Sequence, residues 1–446
     1  MKCLILASGQ GLRLKTKGDS KPLAPLLGLS LIERVILTAQ KAGLTDFYVV
    51  IGYNGNKVKK HLKNFSQTRN INITTIDNDD WKKENGISVL KAKDFIKENF
   101  ILLMSDHIFD ESILIKLKGQ KITDDEIMLA VDYNIKNNEF VDVDDVTKVN
   151  VKNNNIVDIG KNIDKYNAYD SGIFLCSPAF FDAIEESSQK GDSSLSGGIR
   201  ILANGKKAKT LDIQNSFWID VDDEDAFKKA ESRLCFNLKK ESDGPVSRYF
   251  NRPISINISK YLLKTRISPN FISLFTFIIA TLGAFFFFLG GYVNLVIGGI
   301  LAQFSSIIDG CEGEIARLKF QTTGFGGWFD AVLDRYADGF LLFGLTYYVY
   351  FINNNFLYIA IGFLAIIGTI MTSYTADKYN HFMKIRLHSY FGITRDVRML
   401  IIFLGALLNQ PLLILILIAA LTNMEVVRRI VVLNKDEKSS LSKKED

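Results

Sequence analysis

Hydrophobic and polar positions divide this chain in two. From about residue 270 to 433, apolar residues rich in Phe, Ile and Leu run on with few interruptions. Six runs stand out, at about 270–289, 292–309, 326–352, 356–376, 397–409 and 411–433. A helix that crosses a bilayer needs about 20 such residues, so six transmembrane helices are expected; the fifth run is short, and its helix should begin earlier, near Arg395. The first 245 or so residues follow another pattern. Strand-length apolar runs (Lys2–Ser8, Asp46–Gly52, Phe100–Asp106, Glu126–Asp132) alternate with helical segments such as Ser30–Ala42. That alternation predicts an α/β sheet with ligands at the strand C-termini.

The pattern gives four parts: a cytosolic α/β domain (1–238), a connecting segment (239–266), an all-α polytopic membrane domain (267–435) and a charged cytosolic tail (436–446). Within the connection, Ile256–Leu263 reads either as an interfacial helix lying along the bilayer or as a plain linker. Turns at Gly290–Tyr292, Asn353–Asn355 and Asn409–Pro411 carry no charge, whereas Lys264–Arg266, Arg317–Lys319, Lys378–Arg398 and the stretch after Arg428 are basic. By the positive-inside rule, both termini and the basic loops are cytosolic, in a multi-pass protein of the cell (inner) membrane. The net charge of +5 is modest, and the basic residues are dispersed or flank apolar runs. They read as orientation signals and phosphate contacts, not as a nucleic-acid surface. The four cysteines show no paired spacing, so neither a disulfide framework nor a zinc site is implied. The N-terminal apolar stretch is too short for a signal peptide and ends in a glycine loop.

Charge inside the membrane half changes the picture most. Asp309 and Glu312 are spaced i, i+3, and Asp330 and Asp334 i, i+4, so each pair shares one helix face. Ionisable groups in such helices are costly and functional by default. Two facing helices with carboxylates suit a hard divalent cation, which can neutralise a diphosphate and leave one carboxylate as a base. Acids clustered at one membrane edge do not line a path across, which argues against a transporter.

The stretch from Asp309 to Asp334 resembles the signature of the CDP-alcohol phosphatidyltransferase family, Asp-x2-Asp-Gly-x2-Ala-Arg-x8-Gly-x3-Asp-x3-Asp. It departs only at the second acid, Glu312, whose extra methylene shifts a ligand by roughly an ångström. The resemblance implies that Asp309, Glu312 and Asp330 hold Mg²⁺ or Mn²⁺ and that Asp334 is the general base. Gly313, Ala316 and Arg317 would form the site for the CDP-alcohol. Arg395 and the loop with Lys384 and Arg386 are candidates for an acceptor's phosphate.

In the first half, the strand Lys2–Ser8 runs into Gly9-Gln-Gly11-Leu-Arg13, followed by Lys21-Pro22. A strand ending in a glycine loop lets backbone amides approach a triphosphate, with Arg and Lys as counter-charges. With Asn85-Gly86-x-Ser88, Ser105-Asp106-His107, Asp170-Ser-Gly172 and Trp218-Ile-Asp220-Val-Asp222, residues 1–235 resemble sugar-phosphate nucleotidyltransferases. The resemblance implies Mg²⁺ held by Asp106 and Asp220. Catalytic contacts to phosphate would come from Lys21 and Arg13, and CTP would meet the amides of Gly9 and Gly11. Asn85, Gly86 and Ser88 would line the base site. Lys148 and Lys161 lie where the family places sugar-phosphate contacts, or else are solvated strand-edge lysines. His107 reads as a structural neighbour of Asp106. Leu12 stands where the family has Thr or Ser.

The order of the halves resembles the bifunctional inositol-1-phosphate cytidylyltransferase and di-myo-inositol-phosphate-phosphate synthases. It implies that a CDP-polyol, CDP-inositol, is made from CTP and inositol-1-phosphate, and that the phosphoinositol group then passes to a hydroxyl of a second inositol-1-phosphate with release of CMP, in a homodimer through the membrane half. The alternative is a CDP-alcohol-dependent phospholipid synthase with a regulatory nucleotidyltransferase domain. The chain is rich in asparagine, which hyperthermophile proteins avoid, so another polyol or a lipid acceptor stays open.

Overall fold

The computed structural model describes residues 1–136, 138–239, 243–383 and 393–445. Two compact units divide at Leu234 and Cys235. In the first, nine strands form one mixed sheet: β1 (Lys2–Ala7), β2 (Asp46–Ile51), β3 (Asn72–Asp77), β4 (Phe100–Met104), β5 (Ile127–Asp132), β6 (Lys148–Lys152), β7 (Asn155–Gly160), β8 (Ala168–Cys176) and β9 (Ala208–Asp212). Their order is β3-β2-β1-β4-β8-β5-β9-β7-β6. β3, β2, β1 and β4 are parallel, and β8 runs antiparallel to both β4 and β5. The strand runs read from sequence are β1, β2, β4 and β5. Their near-continuous apolar character follows from burial on both faces.

The helices of this unit are α1 (Leu31–Lys41), α2 (Gly55–Arg69), α3 (Asn85–Leu90), α4 (Glu111–Lys118), α5 (Ala179–Gln189), α6 (Leu195–Asn204) and α7 (Glu224–Phe236). α1 starts where it does because Ser30 and Glu33 form a reciprocal capping box. Leu4, Phe100, Leu102, Leu129 and Phe174 lie at the centre of the core, fixing the C-terminal ends of β1 and β4 side by side.

The second unit is helical: α8 (Arg252–Leu262), α9 (Pro269–Leu289), α10 (Tyr292–Leu318), α11 (Gly324–Asn353), α12 (Phe356–Met383), α13 (Arg395–Leu407) and α14 (Pro411–Glu445). Each of the six apolar runs became one helix, and the fifth does begin at Arg395. Among the described residues, four helices are long and apolar enough to cross a membrane: α9, α10, α12 and α14. α11 misses that mark because Asp330, Asp334, Arg335 and Asp338 crowd its first half, and α13 has only 13 residues. α10 packs against α8, α9 and α13. Gly298 lets α10 approach α9, since a Cβ there would meet the Phe287 ring at 2.4 Å. Large apolar side chains such as Phe285, Phe343 and Phe363 point outward.

α8 packs on the rest of the unit by its polar side. Its buried face is polar, with Arg252, Ser255 and Ser259 turned inward and Ile254 and Tyr261 exposed.

Candidate active sites

In the first unit a cavity of about 980 Å³ opens at the C-terminal ends of β1 and β4, where the sheet pattern places a ligand. Gly9, Gly11, Arg13, Lys21, Asn85 and Ser88 line it, as do Asp106, Lys161 and Asp220. Gly11 sits at φ +60°, and a Cβ there would lie 2.3 Å from Lys21 Cβ, so only glycine lets the loop fold over the lysine. Leu12 is 53% exposed at the rim.

Lys21 is only 8% exposed and is ringed by acids. Its Nζ donates to Asp106 Oδ2 at 2.5 Å and to Asp222, and lies 3.6 Å from Asp220. Burial pulls the ammonium's pKa down, but Asp106, Asp220 and Asp222 more than reverse this and hold it above the lysine range. Burial also works against the Asp106 charge, yet Lys21 and His107 keep that carboxyl well below its usual value. For His107, burial opposes the proton, and the charges of Asp220 and Asp106 raise it to about 9. Asp220 is pushed upward by burial and by the like charge of Asp106.

One ligand atom each from Asp106, His107 and Asp220 falls within 4.8 Å of the others. Asp220 Oδ1 is buried and accepts no hydrogen bond among the described residues. An orphaned carboxylate oxygen beside a second carboxylate fits a hard cation. His107 reaches this group because β8 bulges between Asp170 and Phe174 and Gly172 adopts φ +72°; a Cβ there would meet the His107 ring at 2.6 Å.

The remaining residues expected here are placed as follows. Arg13 pairs with Asp145 and Asp222 at 2.6 Å each, and Lys161 pairs with Asp145 at 2.5 Å. Ser88 Oγ bonds Ser8 Oγ at 2.7 Å, and Asn85 Oδ1 accepts from the Leu195 amide at 2.9 Å. Two residues stand outside the cavity wall. Gly86 packs against the Ser193 carbonyl, where a Cβ would come within 2.3 Å, and Lys148 lies over the Tyr166 ring.

In the second unit, carboxylate oxygens of Asp309 on α10 and of Asp330 and Asp334 on α11 converge within 4.8 Å of one another. This all-oxygen set also fits a hard cation. Glu312 is not in the group, although Asp334, set apart in the sequence reading as a base, is. Arg395 Nη1 reaches Asp309 at 3.1 Å and Asp334 at 2.8 Å. A cavity of about 250 Å³ is lined by Asp309, Asp334 and Arg395 and by six residues between Asp243 and Ser255. Arg317 Nη2 donates to the Leu238 carbonyl at 3.2 Å, and a Cβ at Gly313 would meet Arg317 at 3.1 Å. Lys384 and Arg386 lie outside the described residues.

Sequence reasoning passed over two acids. Glu314 is 0% exposed and accepts from Arg252 at 2.8 Å, Ser255 at 2.5 Å and Ser259 at 2.7 Å, which is why α8 buries a polar face. Asp338 pairs with Arg395 and Arg398. Its i+4 spacing from Asp334 was the one signal for it.

Residues 3–151 match the MobA-like NTP transferase domain, and residues 266–431 match CDP-alcohol phosphatidyltransferase. Two curated relatives named "Bifunctional IPC transferase and DIPP synthase" align almost end to end. That of Rubrobacter xylanophilus is 35% identical over 97% of this chain and 96% of its own length. That of Aquifex aeolicus is 31% identical over 95% and 96%. The solved inositol-1-phosphate CTP transferase from T. maritima is 25% identical, with a TM-score of 0.47, covering 52% of this chain and 93% of that one. Fold, sites and matched domains define a transferase enzyme in which a nucleotidyltransferase is joined to a CDP-alcohol phosphotransferase. Its near-full-length likeness to the curated relatives goes further: the chain belongs to the family of bifunctional IPC transferases and DIPP synthases.

Proposed function

We propose that the first unit makes CDP-inositol from CTP and inositol-1-phosphate, and that the second transfers its phosphoinositol group to a second inositol-1-phosphate. The observation that carries this reading is that each unit has its own group of converging acids, in a chain alignable end to end with relatives of that name. In the first reaction a phosphate oxygen of inositol-1-phosphate attacks the α-phosphorus of CTP. The bond from that phosphorus to its bridging oxygen breaks, and pyrophosphate leaves. Gly9 and Gly11 amides cradle the triphosphate, Lys21 and Arg13 offset its charge, and Asn85 and Ser88 face the base. Gly86 serves by letting α3 pack closely, and Lys161 meets the polyol phosphate.

In the second reaction the acceptor hydroxyl attacks the phosphorus that bears the inositol. The bond from that phosphorus to the oxygen shared with CMP breaks, CMP leaves, and Asp334 takes the hydroxyl proton. Gly313 and Ala316 leave room for the nucleotide, Arg317 faces its diphosphate, and Arg395 meets the acceptor's phosphate. Mg²⁺ or Mn²⁺ held by Asp106 and Asp220, and by Asp309 and Asp330, would supply further charge neutralisation at phosphorus.

The six helices α9 to α14 all cross the membrane in this reading, with the acids at the cytosolic face, as the basic loops support. A homodimer through the membrane unit rests on the family resemblance alone, and cross-linking in native membranes tests it. The activity is tested by product release from the purified chain. Pyrophosphate should appear only when inositol-1-phosphate accompanies CTP, and CMP should be released from supplied CDP-inositol when inositol-1-phosphate is added without lipid. CMP release with a lipid acceptor instead would establish a phospholipid synthase.

A further inference from the structure

The inference rests on Arg395 being the contact for the acceptor's phosphate. One helical turn beyond Asp334, on the same face of α11, stands Asp338, an acid outside the signature spacing. Its side chain is 3% exposed. Oδ1 accepts from Arg395 Nε at 3.1 Å, and Oδ2 accepts from Arg398 Nη2 at 2.6 Å. Arg398 Nη1 in turn donates to the Ile393 carbonyl at 3.1 Å, tying down the chain just ahead of α13. Asp338 therefore holds both the guanidinium of Arg395 and the start of the helix that carries it.

A guanidinium presents its donors in one rigid plane. With Nε fixed on Asp338 and Nη1 turned to Asp309 and Asp334, the orientation of the Nη2 edge is set. Arg395 Nη2 is buried and has no hydrogen-bond partner among the described residues, and the same is true of Thr394 Oγ1. Both residues line the 250 Å³ cavity together with Asp309 and Asp334. Among the described residues, then, two residues that line one cavity each carry a buried donor without a partner, and a phosphate monoester offers several anionic oxygens to a guanidinium and a hydroxyl.

We propose that Asp338 is a positioning residue for the membrane reaction: it orients the guanidinium of Arg395, in the cavity that Thr394 also lines, toward the phosphate of a phosphorylated acceptor. Asp338 touches no substrate and acts through Arg395. Because Asp338→Asn leaves the Arg398 charge buried without its partner, the double variant Asp338→Asn/Arg398→Met removes both charges and retains the packing.

The test measures CMP release by the full chain in detergent, with supplied CDP-inositol and either inositol-1-phosphate or free inositol as acceptor. In Asp338→Asn and in the double variant, KM for inositol-1-phosphate should rise about tenfold or more, while kcat and the KM for CDP-inositol change less than about threefold. Arg398→Met alone should leave the acceptor KM within about threefold, and Asp338→Asn added to Arg395→Gln should cost nothing further. Unchanged acceptor KM in the double variant, or an equal rise in the KM for CDP-inositol, overturns the positioning role. If Arg395→Gln weakens inositol-1-phosphate but not free inositol while the Asp338 variants are silent, only the positioning role falls. If Arg395→Gln spares inositol-1-phosphate, the phosphate reading of Arg395 falls first and takes this inference with it.

Discussion

Lys21 concentrates the electrostatics of the first reaction in one side chain. An ammonium this buried is stable only because Asp106, Asp220 and Asp222 surround it, and the same charge can offset a departing pyrophosphate. Lys21→Met should lower CDP-inositol formation by about 10²–10³-fold, the size expected for one preorganised charge at a reacting phosphoryl group; a pyrophosphate-release assay checks it. In the second unit the roles of neighbouring acids separate by geometry. Asp334 converges with Asp309 and Asp330, whereas Glu312 does not. Asp334→Asn should cost about 10²–10⁴-fold in transfer, as for loss of a general base, while calorimetry still detects CDP-inositol and metal. Loss of metal binding as severe as in Asp309→Asn would make Asp334 a ligand instead. Glu312→Ala should retain at least about ten times the transfer rate of Asp309→Ala, since its carboxylate does not converge with those of Asp309, Asp330 and Asp334.

The elements carrying these side chains were far more legible in the sequence than the contacts that fix them. Uninterrupted apolar runs gave the ends of α9 and α11 within a few residues, and strand-length runs gave β1, β2, β4 and β5, because burial on all sides imposes those patterns directly. The acids of the second site were legible because i, i+4 spacing reports a shared helix face. Glu314 and Asp338 were not, because their partners lie 62 and 57 residues away for Arg252 and Arg395, and local spacing carries no information about such pairs. The packing of Gly86 was hidden for a related reason: a glycine held against Ser193 looks the same in sequence as one beside a ligand. The α8 contact makes the element-scale prediction. Glu314→Ala leaves Arg252 its pair with Asp243 at 2.9 Å but takes the acceptor from Ser255 and Ser259, and leaving buried donors unsatisfied costs about 1–3 kcal/mol. Thermal unfolding in detergent should show a clear fall in the midpoint, and Glu314→Gln, which can still bond Ser255 and Ser259, should fall less.

At the scale of the whole molecule, two reactions share a chain and a CDP-activated intermediate but not a metal group. Asp106, His107 and Asp220 belong to the first compact unit, and Asp309, Asp330 and Asp334 to the second. Asp106→Ala should therefore stop CDP-inositol synthesis and leave transfer from supplied CDP-inositol within about threefold, as expected for independent sites. The most direct measurement is mass spectrometry of products from the purified full chain given CTP, Mg²⁺ and a panel of polyol phosphates without lipid. The account predicts CDP-inositol early and a soluble inositol phosphodiester bearing a second phosphate later, with one pyrophosphate and one CMP released for each. A CDP-polyol of a different alcohol, or CDP-inositol that is consumed only when a lipid acceptor is added, would contradict it.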